Sequence, residues 1–230
     1  NKTAVRFLQK AEKQGYAEAQ YNLAVMYGNG RGVALNLKAA VDWLQKAANE
    51  GHLMAQVALG DIYEQGFGTI KRNEKQAAEW HRKAAEQGYA RSQYVLATYC
   101  EKGLGMPRDE AAASEWYAKA AGQGYAMAQY QLGRRYESGR GFAVDRAKAV
   151  AWYTRAAEQD CVEAQYVLAL KYERGEDVEK DDKAAARWCL KAAERGLVAA
   201  QLDLAARYDT GRGLPKSHHA AELWYLKAAE

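Results

Sequence analysis

Six tryptophans constrain the fold of this chain more than any other feature. They stand at Trp43, Trp80, Trp116, Trp152, Trp188 and Trp224, so successive spacings are 37, 36, 36, 36 and 36 residues. Phe7 sits 36 before Trp43 as an aromatic stand-in. A second ladder keeps the same period: Gln20, Gln56, Gln93, Gln129, Gln165 and Gln201, each after an Ala except where Ser92 precedes Gln93. A third places an Ala pair four residues after every Trp, from Ala47-Ala48 to Ala228-Ala229. A fixed period of this length marks stacked supersecondary units, in which each copy buries its apolar face only against its neighbours.

Each copy reads as two helices. Ala19, Leu23 and Tyr27 recur at four-residue spacing and share a face of the first, helix A. Helix A is expected to end at Gly30, Gly66, Gly103, Gly139, Gly175 and Gly211, because glycine accepts the left-handed backbone that closes helices. A Gly-x-Gly loop follows, with Asp177 replacing the second glycine once and the one extra residue falling in the second loop. Helix B is expected to start at a cap seven before each Trp: Asn36, Asn73, Asp109, Asp145, Asp181 and Ser217. Pro107 and Pro215 precede two of these caps, where a missing amide does no harm. A Lys or Arg three after each Trp suits the C-terminal end of helix B. Gly15, Gly51, Gly88, Gly124 and Gly196 close helix B, with Asp160 in that place once. Small residues (Ala24, Gly60, Ala97, Gly133, Ala169, Ala205) mark where helices approach closely.

The expected architecture is therefore all-α: a single solenoid over residues 1–230 with thirteen short helices, one leading helix B and six A/B pairs. Residues 1–14 read as helix B of a missing repeat, and the last helix lacks its closing glycine. The expectation is a piece of a longer array, or termini covered by something else.

The pattern A-Q-x-x-L-G-x-x-Y-x-x-G-x-G, a cap, then A-x-x-W-x-x-K-A-A-x-x-G resembles the Sel-one-like repeat family. Ala128, Gln129, Leu132, Gly133, Tyr136, Gly139, Gly141, Asp145, Trp152 and Ala156-Ala157 form its clearest copy. The spacing differs from the tetratricopeptide period of about 34. The resemblance implies a right-handed α/α superhelix acting as a protein-interaction scaffold, in bacterial envelope, secretion or host-interaction settings. Some cysteine-rich relatives were linked to β-lactam binding; their regular cysteine pairs are missing here.

Composition and motifs argue against catalysis. Lys plus Arg number 33 against 29 Asp plus Glu, a net charge of +4 too small and too mixed for a nucleic-acid binder. No apolar stretch is long enough to insert in a membrane. None of His52, His81, His218 and His219 lies in a His-Glu-x-x-His pattern, and adjacent His218 and His219 point apart on a helix. The Glu176–Asp182 run reads as a solvated loop and cap, and the Gly-x-Gly loops lack the Gly-Lys-Ser/Thr ending of phosphate loops. Cys100, Cys161 and Cys189 occupy unrelated slots and read as packing residues; a Cys161–Cys189 bridge stays open at this stage. No catalytic residue, cofactor or metal ligand is assigned. The recurring Trp and Gln are read as scaffold, the Gln bonding loop backbone.

Function is then expected on the face of helix A left over by the core, which lines the concave side in solenoids of similar build. Candidate partner-binding residues are Tyr21, Met54, Asp61, Arg91, Tyr94, Met127, Tyr130, Arg134, Glu163 and Tyr166. Tyrosines interleaved with Met and Arg are the types enriched at interface hot spots; the plainer reading is that they shield the inner helix surface from water. The resulting expectation is a non-enzymatic adaptor for a protein or peptide. The alternatives are an inhibitor or immunity protein against a secreted bacterial effector enzyme, and an envelope carbohydrate or peptidoglycan binder. Oligomeric state stays open, and so does the compartment, periplasmic or secreted against cytoplasmic.

Overall fold

The computed structural model describes residues 16–68 and 70–229, so the expected leading helix and Gly15 lie outside the described residues. Among the described residues are twelve helices: α1 (Ala17–Asn29), α2 (Leu37–Asn49), α3 (Leu53–Gln65), α4 (Glu74–Glu86), α5 (Ala90–Lys102), α6 (Glu110–Gly122), α7 (Ala126–Ser138), α8 (Arg146–Glu158), α9 (Val162–Arg174), α10 (Asp182–Glu194), α11 (Val198–Thr210) and α12 (His218–Ala229). Odd-numbered helices are helix A and even-numbered ones helix B. The chain divides into two compact units, Asn1–Trp116 and Tyr117–Glu230, with the division inside α6.

The same local chemistry closes every pair. Each cap side chain takes an amide from the first turn of helix B: Asn36 from Ala39, Asn73 from Gln76, Asp109 from Ala112, Asp145 from Lys148, Asp181 from Ala184 and Ser217 from Ala220. The amide of that same cap residue donates back to a carbonyl in the last turn of helix A, as Asn36 does to Tyr27 at 3.0 Å and Asp181 to Tyr172 at 3.0 Å. Two bonds at one residue thus fix the hairpin. Five of the six glycines expected to end helix A are left-handed; Gly66 is the exception, with φ 80° and ψ 149°. Its loop holds the extra residue, and a short Phe67–Ile70 bridge takes the place of the usual turn.

Asp160 and Asp177, the two replacements for glycine, adopt φ of 63° and 62°. Short carboxylates tolerate this region, and both are tied down: Asp160 to Arg195, Asp177 to Lys171 at 2.8 Å. The second loop glycine answers to packing as well. A Cβ at Gly213 would collide with the Asp182 carbonyl in the first turn of the preceding helix B.

Within the first unit, Ala24, Leu44, Ala47, Ala48, Ala55, Leu59 and Trp80 form one buried cluster. In the second, Tyr153, Ala156, Ala157, Ala164 and Leu168 form another, and Ala169, Cys189, Ala192, Ala200 and Leu204 a third. The Ala pair lets helix B of one repeat lie against helix A of the next, with both methyls fully buried. The glutamine ladder seals that joint. Gln56, Gln93, Gln129, Gln165 and Gln201 are buried, and each donates to the carbonyl of the second alanine eight residues earlier, at 3.1–3.3 Å. The acceptor is thus a carbonyl in the last turn of helix B, which also takes the amide three residues on, where loop backbone was expected. The basic residue after each Trp does more than complement the helix end. Lys46, Lys83, Arg155, Lys191 and Lys227 lie over the indole three residues back, 3.9–4.7 Å from the ring centre.

Candidate functional site

In the first unit the helix A face is carried by α1, α3 and α5. Tyr21 is half-buried and stacks on His52, ring centres 4.5 Å apart. That ring is fixed at both nitrogens: Nδ1 accepts from the Ala55 amide, so Nε2 carries the proton and donates to Glu18 at 2.9 Å. The contact holds the exposed Glu18 carboxyl below its ordinary value. Met54 is 42% exposed. Val57, which shares the tyrosine slot, is buried, so this part of the face belongs to the core. Asp61 and Arg91 pair at 2.9 Å, joining two successive helix A elements. Tyr94 is half-buried. An open depression beside Tyr21 is lined by Val25, Asp61, Ile62 and Phe67.

In the second unit the face is carried by α7, α9 and α11. Met127 and Tyr130 pack against the Tyr153 cluster, and Arg134 covers the Tyr130 ring from solvent, 5.9 Å from its centre. Glu163 is exposed and lies 3.4 Å from the Cys161 sulfur. Tyr166 packs on the cluster of Cys189 and Ala192. Burial pushes the Tyr130 and Tyr166 phenols above their ordinary value, so both are neutral hydroxyls at pH 7. Each unit thus brings part of the expected set together, Asp61 with Arg91 and Tyr130 with Arg134. Tyr130 and Tyr166 are half-buried against the core clusters, as the shielding reading expects.

Two features escaped the sequence reading. One is a column of carboxylates nine residues after the Ala-Gln alanine. Glu137 holds the buried Lys171 of the next repeat at 2.6 Å, and Glu173 holds the buried Arg207 at 3.0 Å. Asp203 also reaches Arg207, at 3.2 Å. Glu64 hydrogen-bonds Tyr99, whose phenol is pushed up by burial and then by that carboxylate. The column was visible, but only a fold shows that its partners come from the following repeat. The other is a cluster of Asp61, Glu64 and His81, whose oxygen and nitrogen atoms lie within 4.8 Å of one another. His81 is fully buried, and desolvation pulls its pKa down to about 4, so the imidazole is neutral at pH 7.

The three cysteines are free and buried. Burial pushes the Cys161 thiol up to about 11 and the Cys189 thiol up to about 12. Neither is a nucleophile at neutral pH, in keeping with a packing role. Among the described residues no helix is long and apolar enough to cross a membrane.

The family model described as Sel1 repeat matches residues 1–16, 17–52, 53–89, 90–125, 126–161, 162–197 and 198–230. The third of these matches holds the extra residue. The chain is similar to a protective antigen of uropathogenic Escherichia coli displaying an SLR fold: 32% identity over 98% of this chain and 48% of that one, TM-score 0.89. It is also similar to a Sel1 repeat protein from Oxalobacter formigenes: 36% identity over 97% and 64%, TM-score 0.84. The chain thus spans about half of the first relative and under two thirds of the second. An immunity protein from Pseudomonas aeruginosa shares the fold at 23% identity, covering 93% of this chain and 81% of that one, TM-score 0.53. No curated protein matches the sequence.

Proposed function

Because the chain belongs to the Sel1 repeat family, whose members serve as protein-interaction scaffolds and are typically non-catalytic, we propose that it is an adaptor that binds a partner protein or peptide on its helix A face. The observation that carries this reading is the state of the tyrosine slot. Tyr21, Tyr94, Tyr130 and Tyr166 are all half-buried and recur at the repeat period. A ring held by the core on one side presents its edge with little freedom left to lose, so binding orders few side chains on the receptor. Tyr130 with Arg134 and Asp61 with Arg91 add polar contacts beside these anchors. The solved relatives come from bacteria, and one is a protective antigen of uropathogenic strains, which supports a bacterial, virulence-related setting within the envelope or secretion role proposed here. The likeness to an immunity protein, at 23% identity, carries the fold alone.

The test uses the chain's own alternatives. Leu202 already occupies the tyrosine slot in α11, so Tyr94→Leu, Tyr130→Leu and Tyr166→Leu together keep the core covered. Partners captured from the source bacterium are identified by mass spectrometry for native and triple-variant protein with matched melting curves. A purified partner should then lose at least tenfold in affinity for the variant. Equal binding would move the interface off this face. Binding of purified peptidoglycan with no protein partner would replace the adaptor by a glycan binder.

A further inference from the structure

We propose that Asp61, Glu64 and His81 form a binding site for a divalent transition-metal ion of the zinc class, on the wall between α3 and α4. Asp61 and Glu64 are three residues apart and so share one face of α3; His81 enters from α4. Their donor atoms lie within 4.8 Å of one another, close enough to meet at one ion. The site goes beyond the adaptor reading, and its metal readout does not depend on any partner.

Two observations point to a ligand. His81 is completely buried, yet its Nε2 makes no hydrogen bond to the protein and faces Asp61 Oδ1 at 3.8 Å. Asp61 Oδ1 is likewise buried and makes no hydrogen bond, because Arg91 engages the other oxygen, Oδ2. In the tautomer whose Nδ1–H donates to Ser92, Nε2 turns its lone pair toward the carboxylate oxygen, and a cation between the two satisfies both.

The surroundings are those of a held ligand. In the repeats this helix B slot is filled for packing by Leu44, Tyr117, Tyr153 and Cys189; only here is it His. The Ala-Gln ladder breaks once, at Ser92, and the Ser92 hydroxyl sits 3.3 Å from His81 Nδ1. A hydrogen bond there directs Nε2 into the cluster, the usual way a protein orients a metal-binding imidazole. Gly60 supplies the room: a Cβ there would come within 2.7 Å of the imidazole. Tyr99 steadies Glu64 from the far side. A nitrogen donor with two carboxylates suits zinc and its first-row neighbours, while calcium and magnesium take oxygen sets.

The experiment uses the untagged chain, stripped with a chelator, titrated with Zn²⁺ by calorimetry and with Co²⁺ by visible absorption. One ion per chain is expected, with a rise in melting temperature. Asp61→Asn and Glu64→Gln should each weaken binding about tenfold or more. His81→Tyr should abolish it while remaining folded, because it copies Tyr153 opposite Gly133, where the phenol donates to Glu137 at 2.8 Å. Circular dichroism of each variant secures that comparison. Zn²⁺ binding no tighter than about millimolar, or binding equal in the native chain and His81→Tyr and so due to His52, His218 or His219, would overturn the proposal.

Discussion

Gly60 and Gly133 face the two bulkiest rings that the helix B slot presents to a glycine. A Cβ at Gly60 would lie 2.7 Å from the His81 ring, and one at Gly133 2.8 Å from the Tyr153 ring. Ala24 stands in the same slot beside Leu44, where both are buried in one cluster. Gly60→Ala is therefore expected to destabilise by about 1–3 kcal/mol through overpacking, even though alanine is the better helix former by about 1 kcal/mol. Adding His81→Leu recreates the Ala24/Leu44 pair and should recover most of that loss. Urea unfolding of the two single variants and the double variant gives the coupling energy, and strict additivity would refute the account. The sequence showed the small residues and correctly attributed them to close approach. It did not show that the approaching group at Gly60 and Gly133 is the side chain one after the Trp, since that requires knowing which residues of the two helices face each other.

At the scale of the helices, what is local was legible and what crosses repeats was not. Caps, loop glycines and the left-handed aspartates follow from a few adjacent residues, and all six caps bond as the sequence suggests. The glutamines were seen as buried, but their acceptors lie on the helix of the preceding repeat. The carboxylate column was missed for the same reason. Its energetics are asymmetric. Arg207 is 1% exposed between Glu173 and Asp203, while those carboxylates keep access to water at 20% and 19%. Glu173→Gln leaves a buried guanidinium with one partner and is expected to cost about 2–4 kcal/mol. Arg207→Met, which places the residue type found at Met26 in this slot, leaves Glu173 paired with Arg212 and should stay within about 1 kcal/mol of native. Denaturant midpoints for the two variants decide it. Equal losses would mean that the ion pair itself, not the stranded charge, sets the stability.

In a repeat array, stability is a sum over neighbours, so a helix with less covered apolar surface opens sooner. The second unit lets two helices with the same role be compared. In α10, Cys189, Ala192 and Ala193 are fully buried along with three alanines of its first half. In α12 only Ala221 is buried, and Leu223, Tyr225 and Leu226 are 49%, 41% and 59% exposed. The pattern fixes a helix's own residues and not what lies against it, so within residues 1–230 α10 and α12 share the pattern and differ in coverage. In a polypeptide of residues 1–230, two large side chains left half-covered forfeit about 3 kcal/mol of burial. At 1.4 kcal/mol per decade, amides of α12 should exchange with deuterium about a hundredfold faster than those of α10. Mass-spectrometric exchange on peptides from 182–194 and 218–229 measures the ratio directly. Equal protection would show that the second unit opens as one cooperative block, and the neighbour-by-neighbour account of its stability would fail. The same measurement with a bound partner adds a second contrast. If the helix A face is the interface, protection should rise in α7 and α9, while α12 keeps its fast exchange.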